Sequence, residues 1–122
     1  MSMSRQDLIA QQIAESSKRN VKVIRNTASN GADYYISAYE DAVFVYNTGS
    51  YTQDLFLPPV GETKGRKLYI SFVDAGGTNK IYDNDDSYYP AWTDLTPDAD
   101  ADDVLLYNPD GRGWVVLFNG IA

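Results

Sequence analysis

Short runs of β-forming residues, separated by turn residues, are the feature that most limits the folds open to this chain. The runs lie at residues 34–39, 42–46, 53–57, 67–73, 104–107 and 114–118. They are rich in tyrosine, valine, isoleucine and phenylalanine, which favour strands. Leu68, Ile70 and Phe72 take every second position of their run, as in a strand with one buried face. The pattern predicts an all-β fold, a β-sandwich or jelly roll over residues 21–122, with no internal repeat.

Two of the turns predict hairpins. Glu40-Asp41 stands between two β-forming runs, and such a short connection is typical of a tight turn. Near the end of the chain, Asn108-Pro109-Asp110-Gly111 joins the last two runs. Pro109 presets φ for the first turn position and Gly111 accepts a positive φ, so this segment predicts a closing hairpin.

The first 20 residues differ from the rest and predict an N-terminal arm with a short helix. Ser4 is suited to cap that helix, and Leu8, Ile9 and Ile13 fall on one of its faces. An apolar stripe of two turns is too short to form a stable helix alone in water. We therefore expect the arm to dock, either on its own domain or on a neighbouring molecule, and these three residues to anchor it.

The residue types that are absent exclude much of enzyme chemistry. The 122 residues include no cysteine and no histidine. Serine–histidine and cysteine–histidine nucleophile systems, thiolate metal sites and disulfides therefore cannot form within the chain. We expect a protein that is not an enzyme and that uses no cofactor.

Charge and hydropathy limit the partners. The formal net charge is −7, which disfavours binding to the phosphate backbones of nucleic acids. No apolar run reaches the length of a membrane span, and Gln11 and Gln12 interrupt the apolar residues near the start, unlike a signal peptide. We expect synthesis in a cytoplasm and no direct contact with nucleic acid or membrane.

An acidic stretch over residues 83–103 leaves several roles open. Its aspartates could bind Ca²⁺, although they do not match the EF-hand pattern, or could form a solvated loop with Trp92 and Leu95 as inward anchors. A carboxylate pair for glycoside hydrolysis is a further reading, but 17 acidic residues make some pair almost inevitable. Turn aspartates also commonly accept hydrogen bonds from backbone amides.

Ten tyrosines are many for this length. Tyrosine combines apolar area with a hydroxyl group, so the tyrosines could serve the core, a subunit interface or a platform for a sugar. For the subunit interface we predict Tyr35, Tyr39, Tyr46 and Trp114.

The second half of the chain resembles a module that recurs in virion proteins of tailed bacteriophages. The segments that carry the resemblance are Leu57-Pro58-Pro59-Val60, Gly65-Arg66-Lys67-Leu68-Tyr69-Ile70, Asp74-Ala75-Gly76-Gly77-Thr78, Val104-Leu105-Leu106-Tyr107, Asp110-Gly111-Arg112-Gly113-Trp114 and Asn119-Gly120-Ile121-Ala122. The resemblance implies a compact β-sandwich or jelly roll that trimerises. Such modules occur in tail fibres and in small proteins that decorate capsids.

The resemblance implies a function in the virion. We expect a capsid decoration (cement) protein that binds the major capsid protein on the outer head surface as a homotrimer and stabilises the shell. A tail-fibre or receptor-binding component that contacts cell-surface glycan is the alternative.

Overall fold

The computed structural model describes residues 4–9, 20–27, 32–49, 52–83 and 92–121. Residues 5–9 form a helical turn, and a 3₁₀ turn spans Val60–Glu62. The strands of the described ranges are β1 (Val21–Asn26), β2 (Ala32–Tyr35), β3 (Ala42–Asn47), β4 (Thr52–Phe56), β5 (Lys67–Ala75), β6 (Thr78–Tyr82), β7 (Asp102–Tyr107) and β8 (Val115–Asn119).

The first six strands alternate between two sheets. Sheet A has the order β1-β3-β5-β7-β8, and sheet B has the order β2-β4-β6. The pairs β1·β3 and β3·β5 are parallel, and so are β2·β4 and β4·β6. The chain therefore winds as a parallel β-solenoid. Each coil places one strand in each sheet: β1 and β2 form the first coil, β3 and β4 the second, and β5 and β6 the third.

The core lies between the two sheets and repeats from coil to coil. In sheet A, Ile24 aligns with Val45, which aligns with Phe72. In sheet B, Leu55 aligns with Ile81. Val45, Phe72, Leu55 and Ile81 are completely buried, and Ile24 packs against them at the first coil. Parallel in-register pairing thus stacks like side chains over one another, and this stacking buries a continuous apolar column.

Buried amide side chains line the corner where the chain passes from sheet A to sheet B. Asn47 Nδ2 donates to Asn79 Oδ1 at 2.7 Å, and Asn79 Nδ2 donates to the Pro97 carbonyl at 3.0 Å. One coil earlier, Asn26 Nδ2 donates to Gln53 Oε1 at 3.2 Å. A buried amide without such partners would lower the stability of the protein by about 1–3 kcal/mol. These hydrogen bonds therefore favour the register of the coils in which the amides meet.

An antiparallel hairpin closes sheet A. β5 pairs with β7 and β7 pairs with β8, both antiparallel. Asn108 starts the hairpin turn and binds it to the 3₁₀ turn, because its Nδ2 donates to the Val60 carbonyl at 2.8 Å. Gly111 has φ of 79°, as the turn sequence predicted. Trp114, next to this turn, is buried and donates its indole N–H to the Pro58 carbonyl at 3.1 Å.

The structure confirms the all-β class and the closing hairpin, and it corrects three expectations. The predicted hairpin at Glu40-Asp41 is wrong, because β2 and β3 belong to different sheets and the turn is a corner of the solenoid. The antiparallel pairing of a jelly roll does not match the parallel coils. The predicted absence of an internal repeat is also wrong, since equivalent positions recur in three coils of unequal length.

Two glycine substitutions give opposite expected effects. A Cβ atom on Gly76 would lie 2.7 Å from the Asn47 carbonyl oxygen and 2.9 Å from that of Gly49, whereas one on Gly61 would meet nothing within 4 Å. We expect Gly76→Ala to lower the free energy of unfolding by about 1–3 kcal/mol because backbone atoms must move. Gly61→Ala is the matched control and should raise it by up to about 1 kcal/mol. Equal denaturation midpoints for the two variants would contradict the close packing of this corner.

Candidate functional site

The N-terminal arm is anchored on the outer face of sheet A, the face directed away from the shared core. The Arg5 guanidinium lies 3.6 Å from the centre of the Phe118 ring, and its Nη2 is 3.4 Å from Asp103 Oδ1. Gln6 Nε2 donates to the Ser71 hydroxyl at 2.9 Å. Ser4 caps the helical turn, because its Oγ accepts from the Asp7 amide at 3.1 Å.

Asp103 is the buried charge of this anchor. Its residue is 2 % exposed, and its Oδ2 accepts a hydrogen bond from the Tyr69 hydroxyl at 2.9 Å. Gly120 lies against it so closely that a Cβ atom there would be 2.1 Å from Asp103 Oδ1. A buried carboxylate needs charged or hydrogen-bonding partners. Arg5 and Tyr69 supply them, and the arm is thereby coupled to the sheet.

Two tyrosines have hydroxyl groups whose pKa is raised well above the usual value. Burial raises the pKa of the Tyr69 phenol far above its usual value, and the hydrogen bond to Asp103 raises it further. Burial likewise raises the pKa of Tyr34, whose hydroxyl donates to the Glu40 carboxylate. Both phenols act as donors to carboxylates, which is a structural role.

The predicted arm residues fall in different environments. Leu8 is 46 % exposed, Ile9 is half-buried, and Ile13 lies outside the described residues. Of the two docking alternatives, the described part of the arm shows contact with its own domain. No local sequence pattern indicates the Arg5–Asp103–Phe118 anchor, since its members are far apart along the chain and of common residue types.

The predicted interface residues also separate. Tyr35 is 61 % exposed and Tyr39 is 75 % exposed. Tyr46 is half-buried beside Arg25, whose guanidinium lies 4.6 Å from the centre of its ring. Trp114 is only 2 % exposed and fills the core of its own chain, so its side chain presents no surface to another subunit.

The first coil has the edge strand of each sheet. β1 and β2 stand at the ends of their sheets and pair on one side only with other described strands. On β1, Val21 is 36 % and Val23 is 46 % exposed. Edge strands with exposed apolar side chains are the usual sites of strand addition. We call β1 and β2 together the first-coil edge.

An aromatic stack runs along the outer face of sheet B and ends at the first-coil edge. The Tyr35 and Phe56 ring centres are 4.4 Å apart with planes at 10°, and those of Phe56 and Tyr82 are 5.0 Å apart with planes at 14°. In-register pairing of these residues produces the stack. Phe56 lies between two rings, whereas Tyr35 has an aromatic neighbour in the stack on one side only.

A charged row lies beside the aromatic stack. Asp33 aligns with Asp54, which aligns with Lys80. Partial burial raises the pKa of Asp54, the neighbouring Asp33 raises it further, and Lys80 opposes the shift. The two carboxylates therefore lie side by side on adjacent strands of one sheet face.

The acidic stretch uses its aspartates to hold its own backbone. Asp102 Oδ2 accepts from the amides of Asp98 and Ala99, both at 3.0 Å, and Asp100 Oδ1 accepts from the Ala75 amide at 2.9 Å. Trp92 and Leu95 pack against the core, as predicted. Asn84, Asp85 and Asp86 lie outside the described residues.

Among the described residues, no group of three or more acidic side chains is placed to hold a metal ion. Within the same ranges, no helix has the length and apolar character needed to cross a bilayer. No protein-family model matches the chain, and no curated protein matches its sequence.

The Arg5 anchor predicts how the arm is released. We expect Arg5→Ala to speed hydrogen exchange at the Leu8 amide, which donates to the Ser4 carbonyl, by at least about fivefold. This corresponds to about 1 kcal/mol of lost cation–π and ionic contact. Arg112→Ala, in the exposed closing turn, is the matched control and should leave that exchange unchanged. Equal exchange in both variants would show that Arg5 does not hold the arm.

The raised phenol pKa values predict alkaline sensitivity. The pKa of an unfolded tyrosine is about 10, so a higher value in the folded state gives stability that is complete below about pH 10 and is lost as the pH rises further. Tyr69→Phe should lower the free energy of unfolding at neutral pH by about 1–3 kcal/mol and flatten its fall above pH 10. Denaturation curves at several pH values test this, and parallel pH profiles for the two proteins would contradict it.

Proposed function

We propose that this protein is a non-enzymatic structural component of a tailed-bacteriophage virion. In this proposal it is a capsid decoration protein that binds the major capsid protein on the outer head surface as a homotrimer. It would stabilise the shell by bridging neighbouring capsid subunits. The virion assignment rests on the sequence resemblance, and the structure supports an assembly role through the surfaces that it exposes.

The observation that carries the assembly role is the position of the exposed apolar side chains. Those on strands lie on edge strands: Val21 and Val23 on β1, Tyr35 on β2, and Val116 and Leu117 on β8. An edge that combines apolar side chains with backbone groups able to pair is suited to a protein partner. Many such contacts, repeated by symmetry, give a particle-bound protein its avidity.

The arm is a second contact surface in this proposal. Leu8 is 46 % exposed and is therefore accessible to a capsid subunit, while Arg5 fixes the start of the arm to sheet A. A short apolar segment held at one end has less conformational entropy to lose on binding than a free one. The arm would therefore dock on the capsid without separate folding.

The alternative, a tail-fibre component that contacts glycan, has one observation in its favour. Tyr35, Phe56 and Tyr82 lie beside the Asp33, Asp54 and Lys80 row on the outer face of sheet B, and aromatic rings with carboxylates are groups that bind sugars. The rings stack on one another, however, so both faces of Phe56 are covered and Tyr35 keeps one free face. This favours a protein partner over an extended glycan.

The mass in solution and binding to capsids test the proposal. Light scattering should give three times the chain mass of 13.6 kDa. Deleting residues 1–18 should abolish binding to purified capsids while the trimer survives. Arg112→Ala, in the exposed closing turn, is the control and should bind normally. Failure of the intact protein to bind capsids, together with binding to cell-surface glycan, would favour the tail-fibre alternative instead.

A further inference from the structure

The first-coil edge carries opposite charges on its two strands. β1 has Lys22 and Arg25, and β2 has Asp33, with apolar or aromatic residues between them. Val23 and Arg25 belong to the outer face of sheet A, while Asp33 and Tyr35 belong to the outer face of sheet B. One end of the solenoid therefore presents a basic strand and an acidic strand side by side.

We propose that this edge is a self-complementary docking surface and that its occupant is a second copy of the chain. The two first coils would meet end to end about a two-fold axis that runs along the strands. β1 and β2 run in opposite directions on the two sides of the solenoid. A two-fold axis parallel to them exchanges the two sides, so β1 of one copy lies over β2 of the other, and the two strands are antiparallel. Both sheets would then continue across the interface, through two equal contacts.

One register satisfies charge, burial and strand face together. It places Arg25 opposite Asp33 and apolar opposite aromatic side chains, and it keeps inward residues opposite inward ones. The opposed pairs, with the second-copy residue given second, are Arg25 with Asp33, Ile24 with Tyr34, and Val23 with Tyr35.

Charge selects this pairing over the other two-fold arrangement. If β1 lay against β1 of the second copy, the two Arg25 side chains would share the outer face of one edge, and the two Lys22 side chains would share its inner face. In the same arrangement β2 would lie against β2, and Asp33, already beside Asp54, would gain a further carboxylate neighbour. Like charges on facing strands oppose pairing, so only the β1–β2 arrangement turns the edge charges into attractive contacts.

The aromatic stack points to the same occupant. Tyr35 is 61 % exposed although it stacks on Phe56, because it is the last ring of the stack. Val23 is 46 % exposed on the other strand of the coil. The proposed register covers each of these side chains with the other. The pairing does not depend on the virion assignment, and it would link two copies whether or not they also belong to trimers.

A cross-link between two introduced cysteines tests the register directly, because the chain has no cysteine of its own. Val23 and Tyr35 lie on opposite outer faces of the solenoid, so the double variant V23C/Y35C cannot close a bond within one chain. Directly opposed residues on antiparallel strands have Cβ atoms about 4.5–5.5 Å apart, within reach of a short thiol cross-linker. We expect the double variant to give a covalent dimer, and V23C or Y35C alone to give none. The absence of a dimer from the double variant, or equal yields from a single variant, would overturn the proposal.

A charge exchange provides a second test that retains every aromatic ring. R25D and D33R should each weaken self-association by at least about tenfold, because each brings like charges together at both contacts of the interface. The R25D/D33R double variant restores opposite charges and should recover most of the lost affinity. Sedimentation at equal protein concentration measures this, with circular dichroism as the check on folding. Folded single variants that associate like the unmodified protein, or a double variant no better than the singles, would contradict the pairing. A trimer without the 23–35 cross-link would leave the decoration function standing and remove this interface.

Discussion

The hydrogen bond between the side chains of Asn47 and Asn79, buried at the corner between the sheets, is the contact on which the winding of the chain depends. It joins the second coil to the third across the corner, where an amide without a partner would be costly. Asn79 passes the connection on to the Pro97 carbonyl, and Gly76 leaves room for the close approach of backbone at the same place. Once the register is set there, the apolar column and the aromatic stack follow, since both need equivalent residues to lie directly over one another.

The two faces of sheet A are packed in different ways. The inner face meets sheet B through apolar side chains, as hydrophobic burial requires. The outer face buries polar groups instead: Ser71 and Asp103 are almost completely covered, and Arg5 and Gln6 of the arm reach them. The arm is therefore part of how the sheet satisfies its buried polar atoms. Any partner that binds the arm acts on a segment already coupled to β5 and β7, so contact at the arm and stability of the sheet are linked.

Sequence patterns succeeded where local physics decides the structure. The turn at residues 108–111 formed as expected because proline and glycine restrict the backbone by themselves. The prediction of a hairpin turn at Glu40-Asp41 is wrong because the same residues also suit a corner of a solenoid. Which of the two structures forms depends on the distant strands with which β2 and β3 pair. The environment of Trp114 could not be predicted from its residue type, because an aromatic side chain suits a core or an interface equally well. In the structure it is buried in the core, where its indole N–H donates to the Pro58 carbonyl. The anchor at Asp103 combines residues from both ends of the chain, which no local pattern could bring together.

The amino-acid sequence is sufficient to predict the class of the fold, since period-two alternation and β-favouring residues specify strands without reference to distant contacts. It also excluded histidine and cysteine chemistry by composition alone. The direction of pairing depends on long-range contacts, because parallel coils and antiparallel hairpins use the same kinds of strand and differ in which strands meet. The repeat stayed hidden in the sequence for a related reason. The coils differ in length, and many of their aligned positions share a chemical class rather than an identity. Tyr35, Phe56 and Tyr82 are an example, since stacking requires an aromatic ring rather than one particular residue.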